Sequence, residues 1–508
     1  MNCVLHNFLL LLLLIIMLQF SKILESRDEW KTKAVQRANK IREYRKTIKR
    51  NHEQLEILKK RVLELEQIAD DSKKKQVTTT TGNVVNVMQT QITQTLCLLI
   101  VINAVVSFRS VPKIITLFNT QMFSGLSWVP HFTSVINWAL RLGLGLLEQI
   151  KPSFSPWLAI IDHSIDIGVK KALVVLRVNM AALSQRGSAI RLEDCECIGL
   201  KISTHINGES VAKDLEEIFN KAGMPQAIIK DGDYTLNKGV RIWQEKQGAD
   251  VSVIEDIGHS MAKALKDEYE KTDSFKSFID MLTQCANRLR QTDLAFLIPP
   301  KLRSKGRFQS VSTLGKWAEK ILPIFAVSGR AKNGSLLDRL RTIMPGFTKK
   351  KQFIKIFANT VQIVAKVMEN LKSKGLNQES YEYCCKLSET LPKKSKIKGH
   401  LTNWLIKHIK IQKKLADLPL LVSSDIIESL FGNFKHIIER SPQADMNRTT
   451  LLIPALCGTL NQTKITQVLN QVRHKELKIW EKANIPYTVR KKRRAFFDNI
   501  NIQKAGKT

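Results

Sequence analysis

Three acidic residues of this chain, Asp162, Asp231 and Glu428, could hold divalent cations together. Asp162 directly follows the apolar run 157–161, Asp231 comes just after the apolar run 227–229, and Glu428 lies in an amphipathic helical segment. Two Mg²⁺ (or Mn²⁺) ions roughly 3.5–4 Å apart, held by carboxylates, activate a water or hydroxyl for attack on a phosphodiester and stabilise the leaving oxygen. We therefore predict that Asp162, Asp231 and Glu428 are catalytic residues and the ligands of two metal ions.

Glu428 also has a purely structural interpretation. It lies three residues after Asp425 and four after Ser424, and either of these could cap the start of a helix, with Glu428 completing a capping box. Its neighbours are mostly apolar, and a carboxylate at such a boundary usually has a partner. Lys435, two helical turns further on, could meet a DNA phosphate as a point charge, or could be an ordinary solvated lysine.

Two further residues are candidates for accessory roles at the same site. Asp233 shares strand parity with Asp231, but Asp231 ends the apolar run more directly and is preferred as the ligand. His259 follows Asp256 at the end of the last predicted strand, where it could orient substrate or water. A histidine whose hydrogen bonds are satisfied within the fold is an equally good interpretation of His259.

The composition favours a nucleic-acid partner. Lysine and arginine outnumber aspartate and glutamate by 80 to 46 in 508 residues, which gives a net charge of +34. The basic residues recur along the whole chain, so DNA, whose phosphates they would neutralise, is preferred over anionic lipid. A chain of this length holds roughly two to four domains. The eight cysteines lack zinc-ligand spacing, so we expect reduced thiols.

The first 75 residues divide into two segments. Residues 1–25 contain the apolar run 8–17, which is shorter than the ~20 residues of a membrane-spanning helix and is interpreted as a buried or partner-facing helix. A membrane anchor is the less favoured alternative. Residues 26–75 show a heptad pattern with Asn51 at a seam position, which predicts a coiled coil, with a single long helix packed on its own protein as the alternative.

Residues 85–150 are predicted to form a small helical domain. Two short helices, the second beginning with Thr133 as its N-cap, are joined by a turn and could form a helix-turn-helix reader of DNA. Ser134, Asn137 and Arg141 would then contact DNA. Small helical domains often show this pattern without binding DNA, so that alternative stays open.

Residues 155–260 contain five predicted strands and two helices. Three strands come first and are followed by helix, strand, helix and strand, the order with which a ribonuclease-H-like fold begins: an antiparallel meander, then parallel strands reached through helical crossovers. The remaining divisions are an all-helical segment at 261–424, a second part of the core with the Glu428 helix at 425–475, and a basic tail at 476–508.

Three segments resemble those of DDE transposases, the insertion-sequence recombinases: Ile160–His163, Ile229–Asp233 and Asp425–Lys435. Glu428 followed by six residues and Lys435 is similar to one half of a tyrosine-arginine-glutamate-lysine signature, although Leu421 and Ser424 stand where the other half has Tyr and Arg. The resemblance implies an α/β fold, with a ribonuclease-H-like mixed sheet, flanking helices and an all-helical insertion.

The resemblance further implies a DNA transposase that cleaves and transfers strands at transposon ends and in target DNA. It implies a homodimer or larger assembly, and we expect a cytoplasmic, DNA-associated protein. A non-catalytic DNA-binding protein derived from a decayed or domesticated transposase is the alternative. A membrane-anchored structural protein, using the first residues and the coiled coil, is a third interpretation.

Overall fold

The computed structural model describes most of the chain from residue 80 onward and part of the segment before it. The described residues are 26–28, 30–32, 34–39, 41–50, 52–54, 56, 80–121, 126, 128–150, 152–153, 155–163, 170–186, 189–302, 308–309, 311–327, 329–415, 418–438, 446–488 and 491–498. The chain separates into two compact units, residues 1–87 and 88–508.

In the first unit, the described residues between 26 and 56 are helical and exposed. Ile41 and Ile48, at the predicted heptad seam, are 51% and 67% exposed. Asn51 and the later seam positions lie outside the described residues, so the coiled coil stays a prediction. The apolar run 8–17 also lies outside them. Within the part that the structure describes, we find no helix that is both long enough and apolar enough to cross a membrane.

The second unit is built on a mixed sheet of five strands. These are β1 (Trp157–Asp162), β2 (Lys171–Asn179), β3 (Cys195–Ser203), β4 (Ala227–Lys230) and β5 (Ser252–Glu255), in the spatial order β3-β2-β1-β4-β5. β1, β2 and β3 pair antiparallel, whereas β4 pairs parallel with β1 and β5 pairs parallel with β4. The predicted α/β class is confirmed. The structure also confirms the predicted antiparallel meander of β1, β2 and β3 and the parallel pairing of β4 and β5.

Helices surround this sheet. They are α1 (Thr80–Asn103), α2 (Ser110–Gln121), α3 (Phe132–Glu148), α4 (Met180–Arg186), α5 (Gly208–Ala222), α6 (Tyr234–Gln247), α7 (Ile257–Tyr269), α8 (Asp273–Leu289), α9 (Val311–Ala326), α10 (Leu336–Ile343), α11 (Lys351–Lys374), α12 (Gln378–Glu389), α13 (Lys396–Lys414), α14 (Asp425–Ile438), α15 (Leu452–Ala455), α16 (Gln462–Gln471) and α17 (His474–Asn484). From 257 to 438, the described residues form helices and loops, with one isolated bridge between Leu376 and Leu420.

The two faces of the sheet enter separate cores, which explains why the strands read as continuous apolar runs. Successive side chains of a strand point to opposite faces. Trp157, Ala159 and Ile161 of β1 therefore join a core formed with α5 and α6. Leu158 and Ile160 join the larger core on the opposite face, to which α3, α7 and α14 contribute. Both faces of β1 are thus covered by protein.

Two helix predictions are corrected by the structure. The N-cap of α3 is His131, not Thr133: the His131 Nδ1 accepts a hydrogen bond from the Thr133 amide at 3.4 Å, and the helix starts two residues earlier than predicted. The apolar pattern of residues 449–472 predicts a single helix, but the chain forms the short helix α15 and then α16. Gly458 adopts a φ of 77°, a left-handed conformation that glycine tolerates, and this breaks the run.

Candidate active site at the carboxyl end of the sheet

Asp162 and Asp231 lie side by side at one edge of the sheet. Asp162 is the last residue of β1, and Asp231 is the first residue after β4. These strands are parallel neighbours, and Ile161 is in register with Lys230. Asp162 follows Ile161 and Asp231 follows Lys230, so these two residues lie at the same height along their neighbouring strands. The fold thus brings together two carboxylates that are 69 positions apart in sequence.

The two carboxylates and Glu428 affect one another electrostatically. Burial, together with the neighbouring charges of Asp231 and Glu428, raises the pKa of Asp162 to about 7, although the His163 amide, which donates to Asp162 Oδ1 at 2.6 Å, opposes this rise. Burial also raises the pKa of Asp231, while the Asp233 amide, at 3.0 Å from its Oδ1, opposes that rise. Like charges this close together are unfavourable unless a cation joins them.

Glu428 comes from a helix that packs at the same end of the sheet. It lies in the first turn of α14, whose buried residues are Ile427, Leu430, Phe431, Phe434 and Ile437. The Glu428 side chain reaches solvent, yet the surrounding protein removes enough water from its carboxyl group to raise its pKa, an effect that the charge of His259 reduces. The capping-box interpretation of Glu428 is not what the structure shows, because the Asp425 amide donates to Ser423 Oγ at 3.2 Å.

A buried carboxylate, Asp256, fixes the elements around this trio. Asp256 is 2% exposed and follows β5 as the N-cap of α7. Its Oδ1 accepts from the His259 amide at 2.7 Å and lies 3.1 Å from His259 Nδ1, and its Oδ2 accepts from Ser424 N at 2.7 Å and from Ser424 Oγ at 3.1 Å. Burial alone would raise the pKa of Asp256, but His259 and the Ser424 amide together hold it at about 2.

His259 places a positive charge among the acidic residues. Its hydrogen bond to Asp256, together with the charges of Asp256, Asp231 and Glu428, raises its pKa to about 9 despite burial. The imidazolium is therefore the protein's own counter-charge for these carboxylates at neutral pH. The Gln309 amide lies 2.9 Å from His259 Nε2, and its oxygen is the atom that suits an imidazolium donor there.

The donor set fits a hydrated divalent ion better than a closed cage. Among the described residues, no three His, Cys, Asp or Glu side chains form a ready-made metal-binding group. Mg²⁺, however, usually keeps several waters and needs only one or two protein carboxylates. Asp162 and Asp231 meet that need, because they share one sheet edge and their raised pKa values reflect carboxylates that a cation would stabilise. The predicted metal ligands therefore stay a proposal.

Two other predicted residues have clear structural surroundings. Asp233 caps α6, since its Oδ1 accepts from the Thr235 amide at 2.8 Å and the Leu236 amide at 3.0 Å, and that accounts for its position. Lys435 is half-buried on α14, two turns after Glu428. Among the described residues, no hydrogen bond or ion pair joins Lys435 to the carboxylate trio.

The predicted DNA-reading residues lie on α3, a helix of the core. Arg141 donates from Nε to the Val472 carbonyl at 2.6 Å and from an Nη atom to the Leu469 carbonyl, so its guanidinium satisfies the end of α16. Ser134 and Asn137 are half-buried on the same helix, most of which is enclosed by protein. This packing does not support a groove-reading role for α3.

The sequence interpretation overlooked two contributors to the site. His163, next to Asp162, has a buried Nε2 with no hydrogen-bond partner among the described residues, and burial lowers its pKa to about 4, so it is neutral. The sequence indicates Ser424 as a possible helix cap and as the residue at the arginine position of the signature, whereas in the structure its hydroxyl donates to Asp256. The adjacency of His163 to Asp162 was a usable signal, but nothing in the sequence links Ser424 to a residue 168 positions earlier.

Comparison with known proteins adds little. No family model matches the chain, and no curated protein sequence matches it. Among solved structures, one similar chain belongs to the "Drosophila P element transposase strand transfer complex", with 11% identity and a TM-score of 0.36 over 67% of this chain and 94% of that one. A similarity at this level decides neither the fold nor the function.

The seven described cysteines are free thiols. Cys195, Cys197 and Cys457 are buried close enough to influence one another, and burial raises the pKa of Cys195 and Cys197 to about 12. Such thiols are protonated at neutral pH. They therefore act as small apolar core residues.

Proposed function

We propose that this chain is a transposase-like polynucleotidyl transferase, which cleaves and joins DNA strands with divalent metal ions on a ribonuclease-H-like core. The observation that carries the proposal is the pairing of Asp162 and Asp231 at the carboxyl ends of two adjacent parallel strands. The β3-β2-β1-β4-β5 order, antiparallel on one side and parallel on the other, supports the ribonuclease-H-like assignment.

The carboxylates would hold the metal in this proposal. Asp162 and Asp231 are the primary ligands, and Glu428, from α14, is the third. Bound Mg²⁺ supplies Lewis-acid stabilisation of the phosphoryl oxygens and lowers the pKa of a coordinated water. Asp162, with a pKa raised to about 7, is held in its ionised form once a cation is bound, because a nearby positive charge favours the carboxylate.

Other residues of the chain have roles that need no metal. Asp256 positions the Glu428 helix by accepting two hydrogen bonds from Ser424. His259, cationic at neutral pH, lies close enough to Asp231 and Glu428 to attract a phosphate into the site. The net charge of +34 supplies the long-range attraction for DNA.

The helical region between the two parts of the site corresponds to an insertion in this proposal. The chain leaves the sheet after β5 and returns to it at α14, and the described residues in between form α7 to α13. The Ile257 amide donates to the Val422 carbonyl at 3.0 Å, so the exit and the return lie against each other. A domain inserted at one point of a core has its two ends together in this way.

The test is the loss of cleavage without loss of DNA binding. The single variants D162A, D231A and E428A, with D280A as a matched control for an exposed carboxylate on α8, are assayed for Mn²⁺-dependent nicking of supercoiled plasmid and for duplex binding. We expect the first three to lose nicking at least a hundredfold and to bind duplex within about twofold of wild type. Nicking retained by any of the three would overturn the assignment of that residue.

A DNA-binding protein without catalysis is the second candidate. One observation favours it: the described residues contain no ready-made group of three metal-binding side chains. It predicts that the wild-type chain binds duplex in a salt-sensitive manner and fails to nick plasmid with Mg²⁺ or Mn²⁺. The plasmid assay on the wild-type protein therefore separates the two candidates before any variant is made.

A further inference from the structure

The chain carries a basic helix after α17 that the proposed function does not use. Residues 491–498 are helical and exposed, and we name them the terminal basic helix. Four consecutive basic residues open it, Lys491, Lys492, Arg493 and Arg494. Phe496 and Phe497 follow and are 62% and 60% exposed. We propose that this helix binds the phosphate backbone of the DNA that flanks the scissile position, an inference that rests on the proposed function.

The start of the terminal basic helix is fixed to the sheet. Lys170 is 5% exposed, and its Nζ donates to the carbonyl of Tyr487. Thr488, the next residue, caps the helix: its Oγ1 accepts from the Lys491 amide at 3.2 Å and its carbonyl accepts from the Lys492 amide at 2.9 Å. Ile485, just before, is fully buried. The hydrogen bond from the buried Lys170 to the Tyr487 carbonyl therefore fixes the point from which the basic residues extend into solvent.

That attachment lies at the same end of the sheet as the candidate active site. Lys170 directly precedes β2, and Val174 of β2 is paired with Asp162. Four residues of strand span about 13 Å. Lys171 is close enough to His163, the neighbour of Asp162, to influence it electrostatically. The terminal basic helix therefore starts near the carboxylates. An attachment at the opposite end of the sheet would have put it far from them.

The distances suit a duplex that lies across the site. The helix of eight residues is about 12 Å long. The ~13 Å along β2 and the ~12 Å of the helix are each well below the ~34 Å of one turn of DNA. We therefore expect the cations of this helix to contact phosphates near the cleaved bond.

The chemistry of the surface matches a phosphate backbone. Lysine and arginine side chains on one short helix neutralise consecutive phosphates, and exposed phenylalanines can pack against sugars or bases. The preceding helix continues the same character, since Lys475, Lys478 and Lys482 are exposed at helical spacing on α17. The one acidic side chain of the terminal basic helix, Asp498, pairs with Arg494 at 3.7 Å, which leaves the other three cations for an external anion.

The first experiment measures binding of a 30-base-pair duplex by the full chain at several salt concentrations. The double variant K491Q/K492Q is compared with K393Q/K394Q, which removes two exposed lysines from the turn before α13. We expect K491Q/K492Q to bind about tenfold more weakly near 0.1 M salt and to lower the slope of log K against log salt by about 2, since each lost phosphate contact lowers it by roughly 0.9. The control should stay within about twofold of wild type.

The second experiment tests placement as well as charge. A photo-crosslinking residue replaces Phe496, and the crosslinked position is mapped on a duplex that wild-type protein nicks at one labelled site. We expect crosslinks within about ten base pairs of the nick, and we expect K170M, which removes the attachment, to scatter them. Crosslinks remote from the nick in the otherwise unaltered chain would overturn the inference.

The outcomes separate this inference from the proposed function. If wild type nicks DNA, K491Q/K492Q binds as wild type does and the crosslinker at Phe496 forms no crosslink near the nick, the terminal basic helix is not a DNA contact and the active-site proposal stands. If wild type fails to nick but K491Q/K492Q loses binding, the DNA contact stands and the catalytic proposal fails. Normal DNA binding by K491Q/K492Q together with a loss of nuclear import in cells would identify the basic run as a transport signal and overturn the inference.

Discussion

Asp256 and Ser424, 168 positions apart in sequence, are joined by two hydrogen bonds inside the protein. The Ser424 amide donates to Asp256 Oδ2 at 2.7 Å, and the Ser424 hydroxyl donates to the same oxygen at 3.1 Å. Asp256 directly follows β5 and caps α7, while Ser424 directly precedes α14. Since Glu428 lies one turn into α14, this contact sets the distance between Glu428 and the carboxylates on the sheet.

Replacing Asp256 with asparagine should damage both stability and the site. Both carboxylate oxygens of Asp256 accept hydrogen bonds, but the asparagine side chain has only one oxygen. Its NH₂ group would face a donor, either Ser424 or His259, and that buried donor would lose its acceptor. We expect the free energy of unfolding to fall by about 3 kcal/mol. Urea unfolding gives this value, and the plasmid assay should show weaker nicking with a higher Mn²⁺ requirement.

Two variants are controls for Asp256. S424A removes only the hydroxyl donor and keeps the amide, so we expect a loss of about 1 kcal/mol. D425N removes the exposed partner of Lys372, an ion pair of 2.6 Å, and should change stability by less than about 1 kcal/mol. If D256N were no less stable than D425N, the buried contact would not be the link that we describe.

The raised pKa of Asp162 predicts a pH-dependent cost to folding. The carboxyl group has a pKa of about 7 in the folded protein and about 3.9 in an unfolded chain. Between these pH values the folded state keeps a proton on Asp162 that the unfolded state has lost. The free energy of unfolding therefore decreases as pH rises from about 4 to about 7, and it stays lower above about pH 7. D162N does not titrate, and it should therefore become more stable than wild type across this window.

Thermal unfolding in EDTA from pH 4 to pH 8 measures this difference. We expect the melting temperatures of D162N and wild type to be similar near pH 4 and to separate as pH rises, whereas D280N, an exposed control, should follow wild type throughout. Mn²⁺ added near pH 7.5 should raise the melting temperature of wild type more than that of D162N, because only wild type has both carboxylates. Parallel curves at all pH values would show that Asp162 is not held in this environment.

The sheet was predictable from sequence because its strands are nearly continuous apolar runs. The run 157–161 predicted β1, and the observed strand adds only Asp162. Strand order and direction followed from the succession of elements, three strands and then two strands that are each preceded by a helix. Asp162 and Asp231 were predictable for the same reason, since each ends a strand and parallel strands end at the same edge.

The contacts between distant segments were not predictable. Arg141 lies on an amphipathic helix after a turn, a pattern that also suits a DNA-reading helix, and its actual partners are main-chain carbonyls more than 300 positions later. The Asp256–Ser424 contact is of the same kind. Such partners depend on how complete helices pack together, and periodicity within one segment carries no information about this.

The two interpretations of Arg141 predict different outcomes for R141A. If Arg141 satisfies the end of α16, its removal leaves two buried carbonyls without a charged donor and should lower the free energy of unfolding by about 2–3 kcal/mol. Duplex binding at a temperature where the variant is folded should then equal that of wild type. A recognition helix would give the opposite result, with near-normal stability and binding weakened at least tenfold.

The close approach of α3 to the segment before α15 predicts a large effect at a single glycine. A Cβ atom built on Gly143 would lie 1.6 Å from the Leu451 carbonyl oxygen and 2.7 Å from its carbonyl carbon. These are main-chain atoms, so relief requires the two segments to move apart. We expect G143A to lose about 3 kcal/mol or to fail to fold.

Gly399 is the matched control, because it lies within α13 and a Cβ atom there would meet nothing within 4 Å. G399A should gain about 0.5–1 kcal/mol, since alanine favours a helix over glycine. Both variants remove one glycine from a helix, so any difference between them in urea unfolding comes from the packing at Gly143. Equal stability of the two would mean that α3 does not pack against Leu451, and α3 would then again be a candidate for a DNA-reading helix.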